Sequence, residues 1–156
     1  MIEDNELLII GIDADVDLCG VTIYNRKLKV IEIQSLSFFE IFEMLITAQN
    51  KIGTVKIECG FLNAKSNWHN SKSVGIASRI GKNVGQNHQV SMLLVQMCQY
   101  LKINYKHVKP LPLRSGKKKK KKISHKELEN VLKQMEIKCP KSTNQDSRDS
   151  VLICLF

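Results

Sequence analysis

No apolar run in the 156-residue chain approaches the roughly 18 residues that a membrane helix needs, so no membrane span is expected. A basic segment leading into an apolar stretch is also lacking. The chain opens on the acidic Ile2-Glu3-Asp4-Asn5-Glu6, which argues against a secretory signal and for a cytoplasmic protein. Cysteine pairs are missing too. Cys19, Cys59, Cys98, Cys139 and Cys154 are widely spaced, odd in number and form no CxxC, so neither a disulfide framework nor a zinc site follows. Most have apolar flanks and read as small core residues in a reducing compartment. There are no internal repeats, and nothing points to a small-molecule cofactor.

What is present is a core and a charge. Hydrophobic residues make up 43% of the chain, enough for one globular domain spanning residues 1–156. The formal net charge is +9, from 24 Lys and Arg against 15 Asp and Glu. Such a balance suits a polyanionic partner, although it also serves solubility. The positive charge is concentrated late, in a basic loop at residues 110–123 that holds six consecutive lysines, and this asymmetry favours DNA or RNA.

Periodicity gives an order of elements. Leu7–Asp13 (LLIIGID) reads as a buried strand, Val21–Asn25 as a second, and Leu28–Ile33 as a third, half-exposed one. These form an antiparallel meander. Phe38–Ala48 is helical, with Phe38, Ile41, Phe42, Leu45 and Ile46 facing inward. Thr54–Glu58 is a fourth strand, and the polar loop Asn63–Lys72 follows. In that loop Trp68 and His69 either touch nucleic acid or pack on the fold. A long helix is expected over Val74–Leu101. Gly81 and Gly85 each weaken it by roughly 1 kcal/mol, so either it breaks there or a partner helix or nucleic-acid backbone approaches closely. Tyr105–Val108 is a fifth strand, and Lys109–Lys122 a loop. Ser124 with Glu127 forms a capping box for a helix from about His125, with Leu128, Val131, Leu132 and Met135 inward. The last helix starts near Asn144. The fold class is α/β: a five-stranded mixed sheet, three antiparallel strands then parallel ones, with helices on both faces.

Four carboxylates stand out on this frame. Asp13 and Glu58 each end an apolar strand, where burial is costly without a partner and where α/β sheets bind ligands. Asp146 and Asp149 are three apart in the first turns of the last helix, on one face. Each has an ordinary reading alone: a turn cap for Asp13, a lysine partner for Glu58, helix-dipole charges for Asp146 and Asp149. Asp15 and Asp17 either face solvent or add negative potential. Four acids converging would repel one another, and a divalent cation resolves that. All-oxygen ligation favours Mg²⁺ or Mn²⁺, and two ions about 3.5–4 Å apart suit phosphodiester hydrolysis.

The acids and element order resemble those of the RNase H-like nucleases, and within them the RuvC-type Holliday-junction resolvases. GIDADVDLCGV (Gly11–Val21) resembles the family's opening GIDPG…G motif, with Ala14 and Asp15 in place of Pro-Gly. IECGF (Ile57–Phe61) resembles its strand ending in Glu with Phe three residues later. DSRDSVLI (Asp146–Ile153) resembles its terminal D-x-x-D-A-x-A-I helix, with Ser150 for Ala, and Val108-Lys109 its V-K before a lysine-bearing loop. The resemblance covers essentially the whole chain, and the compact length and divergent motifs look more like a phage-encoded member.

The resemblance implies that Asp13, Glu58, Asp146 and Asp149 are metal-binding catalytic acids. It implies that Phe61 contacts bases at the junction centre, an ordinary core Phe being the alternative. Lys109 and members of the run Lys117, Lys118, Lys119, Lys120, Lys121 and Lys122 would hold phosphates, as would Lys82 on the glycine-bearing helix. That helix falls where the family's subunits and DNA meet, and the implied assembly is a homodimer on a four-way junction. Two other readings stay open: a ribonuclease of the same fold acting on structured RNA or an RNA–DNA hybrid, and a basic nucleic-acid-binding protein without chemistry.

Overall fold

The structure is a computed structural model describing residues 7–62, 73–110, 114–115 and 120–156, with the backbone alone at 114–115 and 120–121. β1 (Leu8–Asp13), β2 (Cys19–Asn25) and β3 (Val30–Leu36) form the antiparallel meander. After α1 (Phe38–Ala48), β4 (Ile52–Glu58) pairs parallel with β1. α2 (Val74–Tyr100) leads to β5 (Tyr105–Val108), parallel to β4. The sheet order is β3-β2-β1-β4-β5. Next come the short strands β6 (Arg114–Ser115) and β7 (Lys120–Lys121), then α3 (His125–Gln134) and α4 (Gln145–Leu155).

Helices cover both faces, as the alternation along the strands requires. On one face Ile10, Ile12, Val55 and Ile57 meet Ile41 and Leu45 of α1 and Leu94 and Cys98 of α2 in a shared core. On the other, Leu128 and Leu132 of α3 and Val151 of α4 pack with Tyr24, Ile31 and Ile33. Capping boxes at Ser37–Glu40 and Ser124–Glu127 start α1 and α3.

Several boundaries differ from the sequence reading. The third strand begins at Val30 rather than Leu28, because Arg26–Lys29 form a turn in which Lys29 takes a left-handed φ of 52°. The second and fourth strands start two residues earlier, at Cys19 and Ile52. Ile46, expected inward, is exposed. The stretch Lys109–Lys122, read as loop, contains the antiparallel pair β6–β7. α2 runs unbroken through Gly81 and Gly85, and a Cβ at either would meet nothing within 4 Å among the described residues. The polar loop Asn63–Lys72, with Trp68 and His69, lies outside the described residues. No described helix is long and apolar enough to cross a membrane.

Candidate metal and nucleic-acid site

Parallel pairing of β1 and β4 puts Ile12 level with Ile57, so the next residues, Asp13 and Glu58, stand side by side where both strands end. α4 brings the other two acids, and glycines let it come close. A Cβ on Gly11 would lie 2.5 Å from Ser150 O and from the Cβ and N of Cys154; one on Gly20 would lie 2.5 Å from Asp146 O. The backbone of α4 therefore rests directly on β1 and β2. Gly20 is the cross-strand partner of Asp13, so the point where Asp146 touches the sheet adjoins Asp13. Ser150, which stands where the resemblance has Ala, is fully buried; its hydroxyl donates to Ser147 O at 2.9 Å and lies 2.8 Å from the Thr22 hydroxyl on β2. Asn144 caps the helix by accepting from Ser147 N at 2.7 Å.

The electrostatics record the convergence. Burial, followed by the charges of Glu58, Asp149 and Asp146, pushes the Asp13 carboxyl up to about 8, with Lys122 alone opposing. Asp149 is buried; its Oδ2 accepts from Lys122 Nζ at 2.6 Å and its Oδ1 from Gln145 Nε2 at 2.8 Å. Burial disfavours the Lys122 charge, but its hydrogen bond to Asp149 and the charges of Asp149, Asp13 and Glu58 outweigh that and raise its pKa above the ordinary lysine value. Arg148 braces this corner, donating to Ile123 O at 2.8 Å, to Thr143 O at 2.6 Å and to Gln145 Oε1 at 3.1 Å.

Between these groups lies a cleft of about 290 Å³, lined by Asp13, Asp15, Glu58, Asp146 and Lys122 on one side. Its other wall is a polar face of α2: Asn87, His88 and Ser91. Ser91 Oγ donates to Glu58 O at 3.0 Å, and Asn87 Nδ2 to Asp15 Oδ2 at 3.3 Å. The His88 ring lies on Gly60, where a Cβ would be 2.7 Å from its Nε2. The strand end bearing Glu58 is thus fixed by α2.

The expected residues distribute unevenly. Asp13, Glu58 and Asp146 line the cleft, and Asp149 sits behind it through Lys122. Among the described residues, no three acidic, His or Cys side chains converge tightly enough to form a ready-made ion cage. The acids border a shared space rather than a single point. As donors they fit a hard divalent cation: all are carboxylates, and burial first and then the other three acids raise the Asp13 pKa. Phe61 is no core residue; it is 38% exposed beside the cleft, edge-on to His88 and His107 at centroid distances of 6.5 and 6.1 Å. Lys82 and Lys109 are exposed and lie outside the cleft lining. Lys117–Lys119 lie outside the described residues, and Lys120 and Lys121 are described by their backbone in β7. Asp17 is exposed.

Sequence reasoning treated Lys122 only as one of six and did not assign Asn87, His88, Ser91, Gln145 or Arg148. A signal existed for the α2 wall: Asn87, His88 and Ser91 lie where a polar, glycine-bearing half of the helix meets its apolar half. None distinguishes Lys122 within its run.

No protein-family model and no curated protein matches the chain. Solved structures do resemble it. One, described as Thermus thermophilus RuvC in complex with a Holliday junction substrate, superposes with a TM-score of 0.52 at 12% identity, over 96% of this chain and 90% of that one. Another, of Thermus thermophilus RuvC, gives 0.49 at 11% identity, over 96% and 92%. The first likeness shows a shared fold: this chain has the five-stranded mixed sheet with helices on both faces in common with that structure.

Proposed function

We propose that this chain is a metal-dependent endonuclease that hydrolyses phosphodiester bonds in branched DNA, four-way junctions foremost. The observation that carries the reading is the convergence of Asp13, Glu58 and Asp146, from β1, β4 and α4, on one cleft, where burial and the neighbouring acids push the Asp13 carboxyl up to about 8. On a chain of net charge +9, a fold that gathers four acids against their own repulsion needs a cation to justify it. Asp13, Glu58 and Asp146, which line the cleft, would hold Mg²⁺ or Mn²⁺, as one ion or a pair, and Asp149 would join them by releasing Lys122. Bound there, the metal supplies an activated water and charge neutralisation at the phosphate.

The chain's own residues divide the remaining work. Lys122 neutralises Asp149 and presents a cation at the cleft, suited to a phosphate oxygen. Lys82, Lys109 and the lysine run add long-range attraction for the backbone. Phe61, exposed beside the cleft, offers a face for an unpaired base, a contact worth roughly 1–3 kcal/mol. That exposure favours a branched substrate, as does the fold shared with a RuvC described on a Holliday junction. Two copies of the chain would cut two strands symmetrically.

The test is a panel of four-way, three-way, linear duplex and RNA–DNA hybrid substrates incubated with Mg²⁺ or Mn²⁺, using the natural chain and Asp146→Asn. Cleavage concentrated on the four-way junction and lost in Asp146→Asn is expected. Cleavage of the hybrid alone would move the reading to a ribonuclease, and no cleavage of any substrate would end it.

A further inference from the structure

One face of the sheet carries two lysines side by side that have no hydrogen-bond or ion-pair partner among the described residues. Lys56 of β4 stands opposite Lys106 of β5 in the parallel register, so both side chains leave the same face. On its other side Lys56 is level with Gly11, which has no side chain and lies against Cys154. Lys56 is half-buried and Lys106 is exposed. Among the described residues, neither cation makes a hydrogen bond or an ion pair. Like charges placed opposite one another destabilise a sheet, and partial burial of an unpaired ammonium adds to the cost. An anion removes both penalties.

The position gives that anion a source. Lys56 and Glu58 are two residues apart on one strand, so they share a face about 6.6 Å apart along it. A duplex strand advances about 3.4 Å per phosphate, so a backbone occupying the cleft has a further phosphate within reach of Lys56. We propose that Lys56 and Lys106 form a second anion site, which takes a backbone phosphate of a DNA arm leaving the cleft along β4 and β5. The site rests on the nucleic-acid reading above but not on its chemistry.

The experiment is binding of a fluorescently labelled four-way junction in EDTA, where no cleavage occurs, followed by anisotropy across a salt series. Lys56→Gln/Lys106→Gln is compared with the natural chain and with Lys51→Gln, a charge control at the other end of β4. The double variant should bind more weakly and lose about one unit of the log–log salt slope, as expected for one lost phosphate contact, whereas Lys51→Gln keeps the slope. Its melting temperature should rise, because the repulsion is gone. Failure of the natural chain to bind overturns the nucleic-acid reading and this site together. Binding whose slope is the same in the double variant overturns this site alone, as does weaker binding accompanied by a lower melting temperature, which would mark Lys56 and Lys106 as structural.

Discussion

A Cβ on Gly20 would lie 2.5 Å from the carbonyl oxygen of Asp146, so the sheet beside Asp13 and the first turn of α4 are in direct backbone contact. Gly20→Ala must push α4 off β2. No glycine in the described residues has a positive φ, so the effect is one of space rather than of backbone conformation. An overpacked contact of this kind costs about 1–3 kcal/mol, read as a lower urea midpoint. Gly81→Ala is the converse: nothing lies near its Cβ, and better helix propensity should stabilise by up to about 1 kcal/mol. Equal stability of the two variants would contradict the close-contact account.

Asp13 predicts a pH dependence. Its folded carboxyl sits at about 8 against an ordinary 3.8, so between those values the folded chain keeps a proton that the unfolded chain has lost. Stability of the metal-free protein should therefore fall as pH rises from about 4 to about 8. Asp13→Asn should flatten that slope, and Mg²⁺ should stabilise more at about pH 8 than at about pH 5. Urea titrations in EDTA at both pH values check it; a slope unaltered by Asp13→Asn would locate the coupling elsewhere.

Lys122 and Asp149 should be energetically coupled. Lys122→Met leaves the buried carboxylate accepting from Gln145 at 2.8 Å. Because the lysine side chain is 51% exposed, solvent screening limits the cost to about 1–2 kcal/mol. A double-mutant cycle with Asp149→Asn isolates the pair, and a coupling near zero would remove Lys122 from the site.

Thiol labelling tests the core. Burial pushes the thiols of Cys19, Cys59 and Cys98 up to about 11 and that of Cys154 to about 12. Cys139 is the only one of the five that is not buried. In the native protein a thiol reagent at neutral pH should modify Cys139 first, and the other four only on unfolding. Rapid reaction of several thiols would mean a looser core.

Much of this was legible from local physics. α1 begins and ends where its apolar period does, and α3 begins at its capping box, because those signals act within one helical turn. Asp13 and Glu58 marked themselves as charges ending apolar strands. The rest depended on tertiary packing. The four-residue β2–β3 turn, with Lys29 in the left-handed region, moved the start of β3 to Val30. Six identical lysines hide the one that reaches Asp149, which tertiary contacts select: Ile123 beside it is buried in the core and accepts from Arg148. His88 joined the site through Gly60, 28 residues earlier, a contact that no spacing rule encodes.

The central claim is that four acids from β1, β4 and α4 make one catalytic metal site. The direct measurement is Mg²⁺-dependent nicking of a synthetic four-way junction by the natural chain, Asp13→Asn and Glu58→Gln, with junction binding followed in parallel. Loss of nicking in both variants with binding retained is the predicted result. Full cleavage by either variant would contradict it.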